Sequence, residues 1–466
     1  MTAGTRGHAE AAPHTRFAGL LVDALGPDAV STDPGTLQRY SHDYGHVAEP
    51  FLPLAVVFAG GVEDVQETLR LAGRHGVSVI ARGAGTGVSG GAHATEGCVV
   101  LSLERMNRIL DIRAEDEVAV VEPGVVNADL NDAVAPHGLM YAPDPASFRQ
   151  STIGGNVATN AGGLRCAKYG VTRDSVLGLE VVLADGTLIR TGRDTFKGVA
   201  GYDLTSLFVG SEGTLGVVVS VTVRLRYLSA EHRSVAALFP DIVAAAAGVV
   251  AIARQRVQPA ITELLDSGTM AVIDTLHGTD LASRGGALLL VRLDGHGAVI
   301  EESLVRGALL ELGASLSEAG DALADRLIEM RRSSRGDEQD DAYRVGEDVA
   351  VPRSRLVSYM AELREIAARH TVLLRIVAHA GDGNLHPTFW VEPAEGEAGL
   401  VRLNAALDES IRAALAAGGT ITGEHGVGQY KRRWLAWEQQ PEVLELQHRV
   451  KELFDPQGIL NPGKAI

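Results

Sequence analysis

Short apolar runs separated by polar, glycine-bearing breaks dominate the first half of the chain. Residues 54–59 form an apolar run of strand length. Over 62–75, Val65, Leu69 and Ala72 recur at helical spacing, and Gly76 stands where such a helix would end. Further strands are expected over 77–81, 98–103 and 118–121, then a helix over 127–135 stopped near Pro136 and Gly138. The run 177–183 closes on Asp185-Gly186, a hairpin signal, and returns through 187–191; residues 217–225 alternate and are β-branched.

Near 227–233 the texture changes and marks a boundary. Beyond it the spacing predicts helices over 241–256, 301–312, 355–370 and 443–454, and a strand over 286–293. Two apolar runs, 372–378 and 385–390, flank the turn residues Gly381-Asp382-Gly383-Asn384 and read as a hairpin. The acidic stretch 336–341 reads as a solvated loop, and no internal repeat is present. The pattern is α+β throughout.

At 466 residues the chain exceeds what one core usually fills, so two domains of ordinary size are expected. Two cysteines, Cys98 and Cys166, are too few for a disulfide framework and point to a reducing, cytoplasmic setting. A formal net charge of -17 argues against nucleic acid as a partner. Residues 1–17 carry no apolar signal-peptide core and read as a frayed N-terminus. No run of 18 apolar residues occurs, which leaves docking at the inner face of a membrane as the one membrane role open.

Three segments are rich in glycine and small polar residues. Arg82-Gly83-Ala84-Gly85-Thr86-Gly87-Val88-Ser89-Gly90-Gly91 contains Gly-x-Gly-x-x-Gly, yet residues 92–97 are helix-poor and run into a strand. A Rossmann site needs a helix directly after the glycines, so the segment instead suits a loop whose backbone amides face a phosphate. Residues 151–163, with Thr152, Gly154, Gly155, Asn156, Ala158, Thr159 and Gly163, read as a second such loop. Residues 210–217, with Glu212, Gly213 and Val217, repeat the chemistry, and three segments imply a long ligand.

Metal-competent side chains cluster in the second half. His379 and His386 bracket the tip of the expected hairpin, and Glu424, in Gly423-Glu424-His425-Gly426, offers a carboxylate from another loop. Two imidazoles and one carboxylate make a three-ligand site with positions left open for substrate.

With these segments the chain resembles the FAD-linked oxidases of the vanillyl-alcohol-oxidase, or PCMH-type, fold. The likeness is to the branch holding the glycolate oxidase flavin subunit, D-lactate dehydrogenase and D-2-hydroxyglutarate dehydrogenase. It runs over 54–225 and from His379 to the C-terminus, including Asp455-Pro456 and Asn461-Pro462-Gly463-Lys464. The resemblance implies an N-terminal helical segment (1–48), a PCMH-type FAD-binding domain (49–228), an α+β substrate or cap domain (229–430) and a helix and tail (431–466) returning to the FAD domain.

It also assigns roles. Arg82, Gly83, Ala84, Gly85, Thr86, Gly87 and Ser89 and the 151–163 loop are expected to hold FAD. Pro143, Asp144 and Ser147 match a stretch beside them, and Glu212, Gly213, Val217 and Asn461 match positions near the cofactor. Thr86 stands in the region where covalent members carry a histidine, so noncovalent FAD is expected. His379, His386 and Glu424 match ligands of zinc or manganese, and His425 matches the base that takes the substrate hydroxyl proton as hydride leaves for flavin N5. A fourth ligand, or a partner of Glu424, is the other role open to His425. Arg331 matches the arginine that grips the substrate carboxylate, with Arg332 and Arg335 as neighbouring alternatives.

Gly346 stands where hydroxyglutarate enzymes carry a lysine, and Thr388 where they carry an asparagine. Both shift the expected substrate from D-2-hydroxyglutarate toward a small 2-hydroxyacid, D-lactate or glycolate. The electrons would pass to a quinone, an electron-transfer protein or oxygen. Partner subunits, a homodimer and a purely accessory flavin subunit are the assemblies the resemblance leaves open.

Overall fold

The structure, a computed structural model, describes residues 13–45, 50–332 and 343–466, apart from the side chains of 13–15. Arg335 and the acidic stretch 336–341 lie outside the described residues. The first helix begins at Pro13, so helical order starts within the segment expected to fray.

Helix Val62–His75 buries Val65, Leu69 and Ala72 completely and closes at Gly76, whose left-handed φ of 66° returns its N–H to Ala72 O. It crosses over a small sheet ordered Val30–Ser31, Ala55–Phe58, Val99–Ser102, Val79–Arg82, in which the last three strands are parallel. Strands of a parallel sheet are covered on both faces, which is why these read as continuous apolar runs without alternation. The second sheet is antiparallel, in the order Ile109–Arg113, Val118–Val121, Val217–Arg224, Val176–Val182, Leu188–Gly192. Ile109–Arg113 escapes the sequence pattern because it is a half-exposed edge strand with a bulge at Ile109/Asp111.

Residues 151–163, expected as a loop, contain the helix Ile153–Thr159. Thr152 Oγ1 accepts the Gly155 N–H at 3.3 Å and caps it. The glycines weaken helix propensity, but they let the backbone approach its neighbours: a Cβ on Gly154 would sit 2.5 Å from Pro123 Cβ. Tertiary packing therefore decides this element.

The second half is built on an eight-stranded sheet ordered Ser315–Leu316, His232–Phe239, Ala287–Asp294, Ile261–Asp266, Leu373–His379, Asn384–Val391, Tyr343–Gly346, with Val349–Ala350 also on Asn384–Val391. Strand alternation gives its faces opposite characters. Val235, Leu264, Leu289, Ile376, Ala378, Leu385 and Phe389 point to one side, where helices Ile242–Arg254, Leu356–His370 and Gly396–Ala416 complete the largest apolar cluster. The other side carries Ile261, Leu265, Leu288 and Leu290 beneath helices Ser267–His277 and Leu323–Arg332. Glu263, paired with His379 in register, and His386, paired with Val377, share that side.

The loop at 422–428 is held by a carboxylate. Asp348, fully buried, accepts the N–H groups of Gly423 (2.9 Å), Glu424 (3.1 Å) and His425 (2.9 Å) on Oδ2, and Asn384 Nδ2 (2.8 Å) on Oδ1. Lys431 Nζ lies 3.2 Å from Oδ2 and donates to Asp348 O at 2.9 Å. Burial works against the charge, but Lys431, then His425 and His386, hold this carboxyl well below the usual range. From the first half, Glu212 accepts Val427 N–H and Gly428 N–H, each at 2.8 Å.

The chain then returns to where it began. Asn461 N–H donates to Val79 O at 2.9 Å, extending the parallel sheet, and its side chain donates to Gly91 O (3.0 Å) and Glu212 O (2.7 Å). Lys464, buried, donates to His93 O at 2.6 Å.

Two outcomes follow for stability. Asp348→Ala leaves the Lys431 ammonium buried without its counter-charge and should cost about 3–5 kcal/mol in chemical denaturation; a change within ~0.5 kcal/mol, typical of ordinary surface sites, contradicts the clasp. Burial pushes Lys464 down to about 8 from an ordinary 10.5. Between those values the unfolded chain binds more protons than the folded one, so this group makes stability rise with pH across that window. Lys464→Met should remove that rise in urea titrations spanning the window, and a slope parallel to wild type contradicts it.

Candidate active site

The cap hairpin delivers both histidines. His379 ends strand Leu373–His379, His386 sits two residues into Asn384–Val391, and their same-face placement brings the rings to 5.0 Å between centroids at 83°. Glu424, on the clasped loop, completes the group: its Oε1 is 3.2 Å from Nε2 of His379 and 3.2 Å from Nε2 of His386. One ligand atom from each of the three lies within 4.8 Å of the others. Gly162 must lack a side chain here, since a Cβ would meet Glu424 Oε2 at 2.4 Å.

His425 stacks on His386, with centroids 4.9 Å apart at 16°, and its Nε2 is 3.9 Å from Glu424 Oε1. Asp348, His386 and His425 form a second, overlapping group of metal-competent side chains. Asp348, however, is already committed to the loop amides and Lys431.

Glu263 stands behind His379. It is fully buried, its Oε1 lies 2.6 Å from His379 Nδ1, and its Oε2 lies 2.9 Å from Arg331 Nε. Burial disfavours charge on all of these groups, but they compensate one another. His379 is held well above its ordinary pKa by Glu263 and Glu424, and Glu424 well below its own by His379 and His386. Such a mutually charged set is a place where a bound cation can replace a proton.

Arg331 and Arg332 are the last residues of helix Leu323–Arg332 and diverge. Arg331 turns to Glu263, whereas Arg332 donates to Asp144 Oδ2 at 2.8 Å across the junction with the first half. Lys168 and Tyr169 make a second crossing to Asp294.

A cleft runs from this group into the first half. Arg82, Gly83, Ala84, Gly85, Thr86, Gly87 and Ser89 form one wall. Ser147, Thr152, Gly154, Gly155, Asn156, Ala158 and Thr159 form another, and Glu212, Gly213, Val217 and Asn461 also line it. Glu424 and His425 close the end toward the second half. Three expected cofactor residues are not brought to the cleft. Pro143 accepts Asn127 Nδ2 through its carbonyl, and Asp144 is occupied by Arg165 N–H and Arg332. Gly163, with φ 141°, packs against the Asp144 backbone.

Sequence reasoning missed Glu263 and Asp348. Neither stands out locally: Asp348 follows Glu347 between two short strands, and Glu263 shares its strand with Asp266.

Comparison with known proteins agrees with this architecture. The sequence signature described as "FAD binding domain" matches residues 53–192, and "FAD linked oxidases, C-terminal domain" matches 228–465. The chain is 39% identical over 449 residues to glycolate oxidase subunit GlcD of Bacillus subtilis, covering 95% of each chain. It is 36% identical to a D-lactate dehydrogenase of Archaeoglobus fulgidus (88% of this chain, 91% of the relative). A D-2-hydroxyglutarate dehydrogenase of Stutzerimonas stutzeri is 32% identical (94% and 96%). Among solved structures, p-cresol methylhydroxylase with substrate bound shares the fold, with a TM-score of 0.79 at 19% identity over 97% of this chain and 96% of that one. The chain is therefore an oxidoreductase of the FAD-linked oxidase family, built on a PCMH-type flavin fold and related to glycolate oxidase, D-lactate dehydrogenase and D-2-hydroxyglutarate dehydrogenase.

Proposed function

We propose that this protein oxidises a small D-2-hydroxyacid, D-lactate or glycolate, to the 2-oxoacid. What carries the reading is one continuous cleft that joins the glycine-rich walls to Glu424 and His425. Its wall chemistry fits FAD: Arg82 Nε and Nη1, Ser151 Oγ and Asn461 Oδ1 are buried there without a hydrogen-bond partner among the described residues. An anionic, hydroxyl-bearing chain answers such donors and acceptors. Bound FAD supplies the acceptor for the hydride leaving the substrate's Cα. We take its binding as noncovalent, because His93 faces Asp43, 2.9 Å from its Nε2, and is not among the residues lining the cleft.

His379, His386 and Glu424 offer the nitrogen and oxygen donors that zinc or manganese takes. Such an ion supplies Lewis-acid polarisation of the substrate hydroxyl. In this reading His425 receives the hydroxyl proton at Nε2, the nitrogen on the Glu424 side, while stacking on His386 fixes the ring plane. Arg331, whose Nε lies 2.9 Å from Glu263 Oε2, would meet the substrate carboxylate with its terminal NH₂ groups. Electrons from the reduced cofactor would return to a quinone, an electron-transfer protein or oxygen. Partner subunits are proposed because two relatives are named as glycolate oxidase subunits. No helix among the described residues is long and apolar enough to cross a membrane.

On the sheet face shared with His386, Gly346 pairs with Thr388, so the row beyond the metal group carries little bulk or charge on that side. This favours a small acid. A dicarboxylate such as D-2-hydroxyglutarate is the second reading, favoured by Arg375, which pairs with Thr388 in the same row from the other side.

Stopped-flow bleaching of bound flavin by glycolate, D-lactate, L-lactate and D-2-hydroxyglutarate separates these readings. D-lactate or glycolate should bleach fastest, and His425→Ala should slow the step roughly 10²–10⁴-fold with flavin retained; an unchanged rate rules out the base assignment. His386→Ala should lower metal content from one per chain to a small fraction with flavin content kept, as read by elemental analysis. Protein that stays colourless after incubation with FAD would instead favour a flavin-free metallohydrolase.

A further inference from the structure

A carboxylate with no route to solvent needs a reason to be inside. Glu263 is fully buried on the inner strand Ile261–Asp266, directly across from His379 in register. Its two oxygens face different elements: Oε1 hydrogen-bonds His379 Nδ1 at 2.6 Å, and Oε2 is ion-paired with Arg331 Nε at 2.9 Å. The strand neighbours Ile261 and Leu265 on the same side are apolar and completely buried, so the acid stands in an otherwise dry row.

The orientation of His379 follows from this contact. In the ion-free site both ring nitrogens face carboxylates, Nδ1 toward Glu263 and Nε2 toward Glu424 Oε1 at 3.2 Å; a cation replacing the Nε2 proton would find the remaining N–H claimed at Nδ1 and the Nε2 lone pair on the Glu424 side. A solvated histidine at the end of a strand could present either nitrogen. Arg331 is held by the same acid although it belongs to a separate helix, Leu323–Arg332. The ion pair, close in distance though without hydrogen-bond alignment, places the Arg331 guanidinium against the same acid that faces the His379 ring.

We propose that Glu263 is a positioning residue that holds His379 with Nε2 toward the metal group and, through its second oxygen, sets Arg331 relative to that group, so one buried carboxylate registers the ion with the substrate's carboxylate. The inference rests on the metal and Arg331 roles given under Proposed function, and the test separates it from them.

The metal affinity of purified flavin-loaded protein, stripped of divalent ions, is measured by competition of Zn²⁺ or Mn²⁺ with a chromophoric chelator. Wild type should bind one ion per chain. Glu263→Gln keeps the shape but cannot accept from both neighbours, and should weaken binding roughly 10–100-fold, with flavin content unchanged. Because this change strands the Arg331 guanidinium, it is repeated in an Arg331→Met background, where that strain is absent. A similar 10–100-fold loss relative to the Arg331→Met single variant supports orientation as the cause. Affinity within twofold of the matching parent in either background overturns the inference while leaving the metal reading intact. Wild-type protein that binds neither ion overturns the metal reading and this inference with it.

Discussion

Loops buried at a junction face a simple shortage: their N–H groups have no strand or helix to bond to, and no water to replace one. Here the shortage is met by carboxylates. Asp348 takes three consecutive amides of the 423–425 turn, Glu212 takes the next pair, and Asp43 and Asp455 do the same for Gly45 with Ala92 and for Ile459 with Leu460. A charged acceptor bonds several donors at once and tolerates irregular backbone, which no single carbonyl can do. Part of the acidic balance of the chain is therefore internal scaffolding.

This arrangement explains how side chains from distant segments meet with little regular structure between them. Glu424 and His425 belong to a turn whose backbone answers to Asp348 on one side and Glu212 on the other, so the second half is held in register with the glycine-rich walls. His379 and His386 come instead from a hairpin, where strand pairing alone fixes their spacing. Rigid strands supply two donors, and a clasped loop supplies the third together with the base proposed beside it.

Much of this was legible in the sequence, for physical reasons that differ by element. Helix Val62–His75 announced itself through three apolar positions and a terminal glycine, and the 379–386 hairpin through its turn residues. The helix Ile153–Thr159 did not, because its glycines are chosen for packing against Pro123 and not for helicity. His232–Phe239 and Ile261–Asp266 lacked a clear alternation because both faces of those strands are covered. Glu263 and Asp348 became meaningful only with the register known, since nothing local distinguishes a partnered buried acid from a surface one. Pro143, Asp144 and Gly163 illustrate the converse: the same segments place Ser147 and Gly162 on the cleft wall, while these three turn to other backbone and side-chain contacts.

The contact between Lys464 and His93 spans 371 positions of sequence, and Asn461 reaches Gly91 across 370. Chains emerge from the ribosome from the N-terminal side, and domains tend to fold as they appear. The glycine-rich wall around residue 90, already held on one side by Asp43, must therefore wait for its second fastening while the whole eight-stranded sheet is synthesised. Closure of that side of the cleft is thereby tied to synthesis of residues 461–464, and a chain interrupted before them would lack these contacts.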